Sequence, residues 1–256
     1  MSEEVTDRPG SKIGRPDIAG DRRRLWDVIS NGGVAIVPSD LGYGIWGGSP
    51  EATRRIIEGK QRGAHKRQGL MTASFVEREL HRIDPRQRDM IDCLTQDYDL
   101  PIGVIAEYDP DHPLLRDLDP YLKAVGTARG TVATALNAGE PFQEAMGCLS
   151  FEHRLPIFAS SANLTGRGIK YRIADIEPEV LAIADLVLDY GLCRFHSYLV
   201  AATQINFNTM EVLRMGACYD LIADVLKRHF DVDLPPDPGR AANRSGLIDE
   251  FALLRD

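Results

Sequence analysis

Apolar residues recur along the chain in two alternating patterns, helical spacing and short continuous runs. Leu25, Trp26, Val28 and Ile29 lie at helical spacing and stop at Asn31-Gly32-Gly33, which predicts the end of a helix and a turn. Helical spacing predicts further helices from Pro50 into Gly63 and over 141–149, 176–184 and 221–230, and apolar runs predict strands at 34–37, 102–106, 131–136, 156–159, 186–188, 199–207 and 212–214, with a glycine-rich loop at 38–48. This alternation predicts an α/β domain with a mixed, twisted sheet.

The two ends of the chain lack this periodicity. Residues 1–17 are polar and rich in glycine and proline, which predicts a flexible leader. The folded domain is expected over 18–220, and a C-terminal helix with a proline-rich tail over 221–256. We find neither an internal repeat nor a second domain in the sequence.

Composition narrows the class of protein. Of 256 residues, 43% are hydrophobic and 27% are charged, as in globular domains. The net charge of −8 argues against a surface built as a whole to bind nucleic acid or an anionic membrane. Because no apolar run approaches the roughly 18 residues of a membrane span, we expect a cytoplasmic protein with no membrane contact. The four cysteines and six histidines show no metal-ligand spacing, so no metal site is predicted from them.

The first candidate site is a basic segment, Lys60-Gln61-Arg62, with Lys66 and Arg67 close behind. Positive charge at a helix end complements the helix dipole, which is a purely structural explanation. The same side chains suit phosphate, because arginine offers a planar fork and lysine a mobile point charge. The segment alone leaves both interpretations open.

Two further polar segments follow predicted strands. Ser160-Ser161-Ala162-Asn163 comes after the strand at 156–159, and Pro38-Ser39-Asp40-Leu41-Gly42-Tyr43-Gly44 after the strand at 34–37. Ligands of α/β sheets gather beyond strand ends, although both segments could equally be self-stabilised turns. Asp40 could ligate Mg²⁺ or merely start its turn.

Five short motifs follow one another in a characteristic order. They are Gly32-Gly33 with 38–44, Lys60-Gln61-Arg62, Ser161-Ala162-Asn163-Leu164-Thr165-Gly166, Ala202-Thr203-Gln204-Ile205-Asn206 and Leu213-Arg214-Met215-Gly216-Ala217. In this order they resemble the YrdC-like domain of threonylcarbamoyl-AMP synthases, over roughly residues 18–219. The fourth motif reads Ser-Thr-(Ile/Val)-(Ile/Val)-(Asp/Asn) in that family.

The resemblance implies a YrdC-like fold, a twisted mixed β-sheet flanked by helices in a single domain. Enzymes of the family combine threonine, bicarbonate and ATP, release pyrophosphate and leave threonylcarbamoyl-AMP for tRNA modification, which implies ATP and Mg²⁺ as cofactors. By resemblance, Lys60 and Arg62 would be catalytic, and Lys60, Arg62, Ser161, Asn163 and Arg214 would hold the nucleotide. The acceptor side would comprise Ser39, Asp40, Leu41, Tyr43, Met71, Thr131, Ala135, Ser160 and Thr203.

Departures from the family pattern concentrate on the acceptor side. Leu41 stands in place of a threonine, Ala135 of an arginine, Met71 of a histidine and Ala202 of a serine. Each lost neutral partner would cost about 1–3 kcal/mol of threonine binding, and the charged partner more. Threonine is therefore a doubtful substrate.

Three functions follow as alternatives. The first is an ATP-dependent enzyme that forms a carbamoyl- or acyl-adenylate from bicarbonate and a small-molecule acceptor other than threonine. The second is a genuine threonylcarbamoyl-AMP synthase whose pocket compensates for the lost threonine partners. The third is a non-catalytic nucleotide- or double-stranded-RNA-binding module, with RNA contacts from Lys60, Arg62, Lys66, Arg67 and Arg82. Gly63, where the family has proline, also leaves an inactive paralogue open, and the sequence specifies no oligomeric state.

Overall fold

The computed structural model describes residues 8–61 and 67–239, which form helices packed on both faces of one sheet. The α-helices of this part are α1 (Ile18–Ser30), α2 (Pro50–Gly59), α3 (Ser74–Leu80), α4 (Pro85–Asp92), α5 (Pro120–Gly126), α6 (Gln143–Glu152), α7 (Pro178–Leu181) and α8 (Tyr219–Phe230). A π-helical turn (Cys93–Asp97) follows α4, and 3₁₀ turns lie at Ile173–Asp175 and His196–Tyr198. None of the helices in the described part combines the length and apolar character needed to cross a bilayer.

Ten strands form one mixed sheet in the order β10-β9-β4-β6-β3-β7-β2-β1-β8, with β5 paired to β6. Their bounds are β1 (Val34–Val37), β2 (Gly44–Gly47), β3 (Gly69–Met71), β4 (Ile102–Glu107), β5 (Thr127–Ala128), β6 (Thr131–Leu136), β7 (Ile157–Ser161), β8 (Leu186–Val187), β9 (Gln204–Asn206) and β10 (Glu211–Arg214). The pairs β1·β8, β3·β6 and β4·β9 are parallel and the other pairs are antiparallel. The α/β mixed-sheet prediction is confirmed.

Helix ends follow their local sequence. Asp17 caps α1 by accepting a hydrogen bond from the Gly20 amide at 2.9 Å. Ser49 caps α2 through the Ala52 amide at 3.1 Å, and Pro50 occupies the first turn, where its missing N–H costs nothing.

Alternate strand residues pack on opposite faces. In β1, Val34 and Ile36 belong to the core under α2, whereas Ala35 and Val37 pack with α1 and α6. The face with α1 and α6 is covered over β1, β2, β7 and β3. Further along this face the strands present small residues, Ala133 and Ala135 of β6 and Gly103 of β4, which border a cavity.

A buried charged network fixes α3 to α4. Glu77 pairs with His81 Nδ1 at 2.9 Å and with Arg88 at 2.7 Å. Burial by itself would raise the pKa of Glu77, but the hydrogen bonds and charges of His81 and Arg88 outweigh it and lower that pKa.

Several element predictions were wrong in kind or extent; the helix predicted from Pro50 into Gly63, for example, ends at Gly59. The predicted loop 38–48 contains β2, because Ile45 and Trp46 are buried between β1 and β7 while the flanking glycines look like a turn. The predicted helix 176–184 is one turn, Pro178–Leu181, and the predicted strand 199–207 shortens to β9. At the N-terminus, the Pro9 carbonyl accepts a hydrogen bond from the Asp189 amide at 2.9 Å. Residues 1–7 and 240–256 lie outside the described range.

Candidate functional site

A cavity of about 220 Å³ lies on the sheet face that carries α1 and α6. Residues of β2, β3, β4, β6, β7, β9 and β10 line it, together with the loop that follows β1. The predicted site residues on its walls are Ser39, Leu41, Tyr43, Met71, Ala135, Ser160, Ser161 and Arg214. The fold thus gathers segments that are far apart in sequence around one volume.

The side chain of Lys60 joins two of the predicted motifs. It is only 1% exposed, and its Nζ donates hydrogen bonds to Ser160 Oγ at 2.9 Å and to the Ser161 carbonyl. Ser160 and Ser161 end β7 and line the cavity. Because a buried ammonium group needs oxygen partners, these contacts hold the positive charge behind the cavity wall.

The loop after β7 is fixed to the end of α2 by further hydrogen bonds. The Thr165 amide and hydroxyl donate to the Lys60 carbonyl at 3.1 and 3.0 Å. Asn163 Nδ2 donates to the Leu164 carbonyl at 2.6 Å, while its buried Oδ1 accepts no hydrogen bond within the described residues. Asn163 lies beside the cavity wall in sequence but not on it, and its Oδ1 could accept from a ligand N–H or O–H.

The loop after β1 satisfies its own polar groups. Ser39 Oγ donates to the Gly42 carbonyl and accepts from the Leu41 amide at 3.3 Å. The Asp40 amide donates to the Ala138 carbonyl at 3.0 Å. Asp40 is absent from the cavity wall, and burial raises the pKa of its carboxyl, with Arg194 opposing that rise. Ser39 and Leu41 therefore shape the cavity, and Asp40 fixes the turn.

Tyr43 directs its hydroxyl away from the predicted substrate. The hydroxyl donates to the Gly191 carbonyl at 2.9 Å and accepts from the Tyr190 amide at 3.0 Å. The side chain is fully buried, so this pair of bonds holds the loop after β8 against β2.

Arg214 and Thr203, the residues predicted from the last two motifs, lie in different positions relative to the cavity. Arg214 lines the cavity, and its Nε donates to the Ala202 carbonyl at 2.6 Å. Thr203 is fully buried and off the wall. Its hydroxyl donates to the Ala217 carbonyl and accepts from the Gly216 amide, both at 3.0 Å. Thr203 thus ties β9 to the segment after β10.

Comparisons with known proteins give the family and the fold. A family model named Sua5/YciO/YrdC and described as "Telomere recombination" matches residues 27–216, about three quarters of the chain. The chain belongs to this family. A search of curated proteins gave no match.

Solved structures show the same fold as this Sua5/YciO/YrdC member. P. abyssi Sua5 complexed with L-threonine has a TM-score of 0.66 at 19% identity over 87% of this chain and 61% of that one. A hypothetical protein from Streptococcus mutans has a TM-score of 0.69 at 19% identity, over 82% and 92%. Full-length HypF in a phosphate- and nucleotide-bound form has a TM-score of 0.56 at 16% identity, over 86% and 32%. The chain spans 54% and 61% of two P. abyssi Sua5 structures.

Two residues predicted on the acceptor side, one on β3 and one on β6, line the same cavity. Met71 and Ala135 both lie on its wall, and Ala135 is opposite Gly103 in the β4·β6 pair. Thr131 lies at the other end of β6, off the cavity wall, and its hydroxyl donates to the Ala128 carbonyl at 2.7 Å. Arg62 lies outside the described residues, as do His65 and Lys66.

Several residues on the cavity wall were not among the predicted site residues, and three of them have functional side chains: Arg67, Trp46 and Gln204. In the sequence, Arg67 stands out only as part of a basic segment. Gln204 carries a signal that was available, because the family motif has an apolar residue at that position.

The described residues do not form a protein cage for Mg²⁺. No group of three or more His, Cys, Asp or Glu side chains within 8–61 and 67–239 could hold a metal ion. In nucleotide enzymes Mg²⁺ commonly binds through substrate phosphates and few carboxylates.

Proposed function

We propose that this chain is an ATP-using enzyme that forms a carbamoyl-adenylate from bicarbonate and an amine other than threonine. The observation that carries the proposal is the contact of the buried Lys60 Nζ with Ser160 and Ser161, which joins two family motifs beside the cavity. Arg214 and Arg67 line the same cavity. Three positively charged side chains therefore lie at or beside this cavity, which favours binding of the negatively charged triphosphate of ATP.

The chemistry needs no covalent intermediate on the protein. An amine and bicarbonate give a carbamate and water. A carbamate oxygen then forms a bond to the α-phosphorus of ATP, and the bond between that phosphorus and the bridging oxygen to the β-phosphate breaks. Pyrophosphate leaves with the electron pair of that bond. The protein supplies positioning and charge neutralisation, which suffice for phosphoryl-type transfer.

Each retained residue has a role that fits its position. Lys60 and Arg214 neutralise charge that develops on the phosphates as pyrophosphate leaves. Ser161 faces the cavity at the end of β7 and can donate a hydroxyl hydrogen bond to a phosphate oxygen. The buried Asn163 Oδ1 is an acceptor for a nucleotide donor. Arg62 keeps its predicted role by resemblance alone.

The acceptor side argues against threonine. Leu41, Met71, Ala135 and Ala202 all line the cavity, and none of them can pair with a carboxylate or a hydroxyl. Each neutral group of threonine left without a partner would cost about 1–3 kcal/mol, and its carboxylate more. P. abyssi Sua5 is the relative that was solved with L-threonine, and it shares 19% identity with this chain.

The test is release of pyrophosphate from ATP in the presence of bicarbonate and a panel of amines that includes threonine. We expect release with one or more amines other than threonine and little with threonine itself. Strict dependence on threonine would instead indicate threonylcarbamoyl-AMP synthesis. Absence of release with every amine, together with RNA binding that weakens steeply with salt, would favour the RNA-binding module.

A further inference from the structure

Gln204 presents a polar group at the acceptor side of the cavity. In β9 the side chain of Ile205 enters the core, whereas Gln204 lines the cavity. The Gln204 amide makes no hydrogen bond with residues of the described ranges and is not among their buried polar atoms without a partner, so it is open to a ligand. An amide offers both a donor and an acceptor.

The neighbouring strand is shaped to hold this side chain. Gly103 of β4 is paired with Gln204, and a Cβ built on Gly103 would lie 2.6 Å from Gln204 Cγ. The stem of Gln204 therefore lies directly against the backbone of β4, in space that only a glycine leaves. Contact with the β4 backbone restricts the side-chain conformations of Gln204 before a ligand binds, which reduces the conformational entropy lost on binding.

The surroundings of Gln204 favour an uncharged partner. The walls near it are apolar, with Ala135 on β6 and Ala202 two residues before it. The adjacent Arg214 donates from its Nε to the Ala202 carbonyl. Under the proposed function, the positive charge of Arg214 interacts with the triphosphate. A carboxylate could accept from Gln204 Nε2 but would leave Oε1 without a donor. A carboxamide would pair reciprocally, donating to Gln204 Oε1 and accepting from Nε2.

We propose that Gln204 is a specificity-determining residue, and that it selects an amine acceptor whose second polar group is an uncharged carboxamide. The inference rests on the proposed function, because it assigns the acceptor of that reaction. Apolar substituents of the acceptor would pack on Leu41 and Met71.

The experiment compares three forms of one acceptor: leucine, leucinamide and leucine methyl ester. The ester resembles the amide in lacking a carboxylate, but its ester group cannot donate a hydrogen bond as the carboxamide does. We expect pyrophosphate release with the amide to exceed that with the ester about tenfold, the worth of one well-formed buried hydrogen bond. Release with leucine itself should be lower than with either.

Two variants assign the preference to Gln204. Gln204→Ile installs the apolar residue of the family motif and should bring the amide-to-ester ratio to about one, with ATP affinity unchanged. Gln204→Glu keeps the stem and an acceptor oxygen but removes the amide donor, so it should still prefer leucinamide to the ester. A preference that survives in Gln204→Ile, or a better rate with leucine than with leucinamide in the wild type, would overturn the inference.

Binding separates failure of this inference from failure of the proposed function. If no form of the acceptor releases pyrophosphate, the proposed function fails. The claim for Gln204 is then judged by calorimetric binding of leucinamide and leucine methyl ester in the presence of a non-hydrolysable ATP analogue. Tighter binding of the amide that Gln204→Ile abolishes supports it, and equal or absent binding of both refutes it.

Discussion

Replacement of Thr203 by valine separates a structural role for this residue from the substrate contact predicted by resemblance. The hydroxyl of Thr203 donates to the Ala217 carbonyl and accepts from the Gly216 amide, both at 3.0 Å. Thr203 is 0% exposed, and both partners are buried. Valine has nearly the same shape, so the substitution removes the two bonds without opening a cavity.

The size of the effect follows from the two groups left behind. A buried donor or acceptor without a partner costs about 1–3 kcal/mol, so Thr203→Val should lower the free energy of unfolding by about 2–5 kcal/mol. That is a large share of the roughly 5–15 kcal/mol by which domains are stable. At about 2–4 °C per kcal/mol for a chain of this length, Tm should fall by about 5–15 °C. Thr203→Ser keeps the hydroxyl and should cost about 1 kcal/mol for the lost methyl group.

Urea unfolding of the wild type and both variants measures these differences. Acceptor KM is measured well below the lowered Tm, where each variant is folded. We expect Thr203→Val to be strongly destabilised, with an acceptor KM within about twofold of wild type, because the residue does not line the cavity. A stable Thr203→Val protein whose acceptor KM rises about tenfold or more would refute the structural role.

Three further predictions test other parts of the account. Ala135→Arg restores the cation that the family carries at this position on the cavity wall, and should raise threonine-dependent pyrophosphate release about tenfold or more, whereas Ala135→Leu should not. The lowered pKa of Glu77 stabilises the fold above its ordinary value of 4.5 and loses that contribution as pH falls below it, so Glu77→Gln should flatten the loss of stability in urea between about pH 5 and about pH 3; an unchanged slope would contradict this. A Cβ on Gly147 would lie 1.9 Å from the Ala73 amide nitrogen, so Gly147→Ala should destabilise the fold by about 3 kcal/mol or more in thermal unfolding, whereas Cys148→Ala, at an exposed position of the same helix, should behave like wild type.

The fold was predictable where local pattern and tertiary context agree. The apolar runs of β1, β4 and β6 are long enough to be distinguished from turns, and the terminal helix α8 has clear helical spacing. Strand β2 was missed because glycines at both of its ends resemble a loop, while only pairing with β1 and β7 makes it a strand.

For the candidate site, the sequence indicated which segments could contribute but not which contacts they make. Motif order placed Lys60 and Ser161 in one expected site, and in the structure their segments are in contact. The hydroxyls of Tyr43 and Thr203 bond inside the protein, because loops distant in sequence close over them. A motif shows which residues occur but not which way their side chains point. Gln204 escapes prediction from the motif because the change there adds a polar group, whereas the other departures remove one.

Calorimetric titration with Mg·ATP, with and without threonine and bicarbonate, tests the central claim most directly. The account predicts ATP binding that threonine does not strengthen. Lys60→Met should weaken it about tenfold or more, because it removes a positive charge beside the cavity and the hydrogen bonds that hold Ser160 and Ser161 at its wall. Lys227→Met, which removes an exposed lysine on α8, serves as the control and should bind ATP like wild type. ATP binding that is indifferent to Lys60, or that threonine strengthens markedly, would contradict the account.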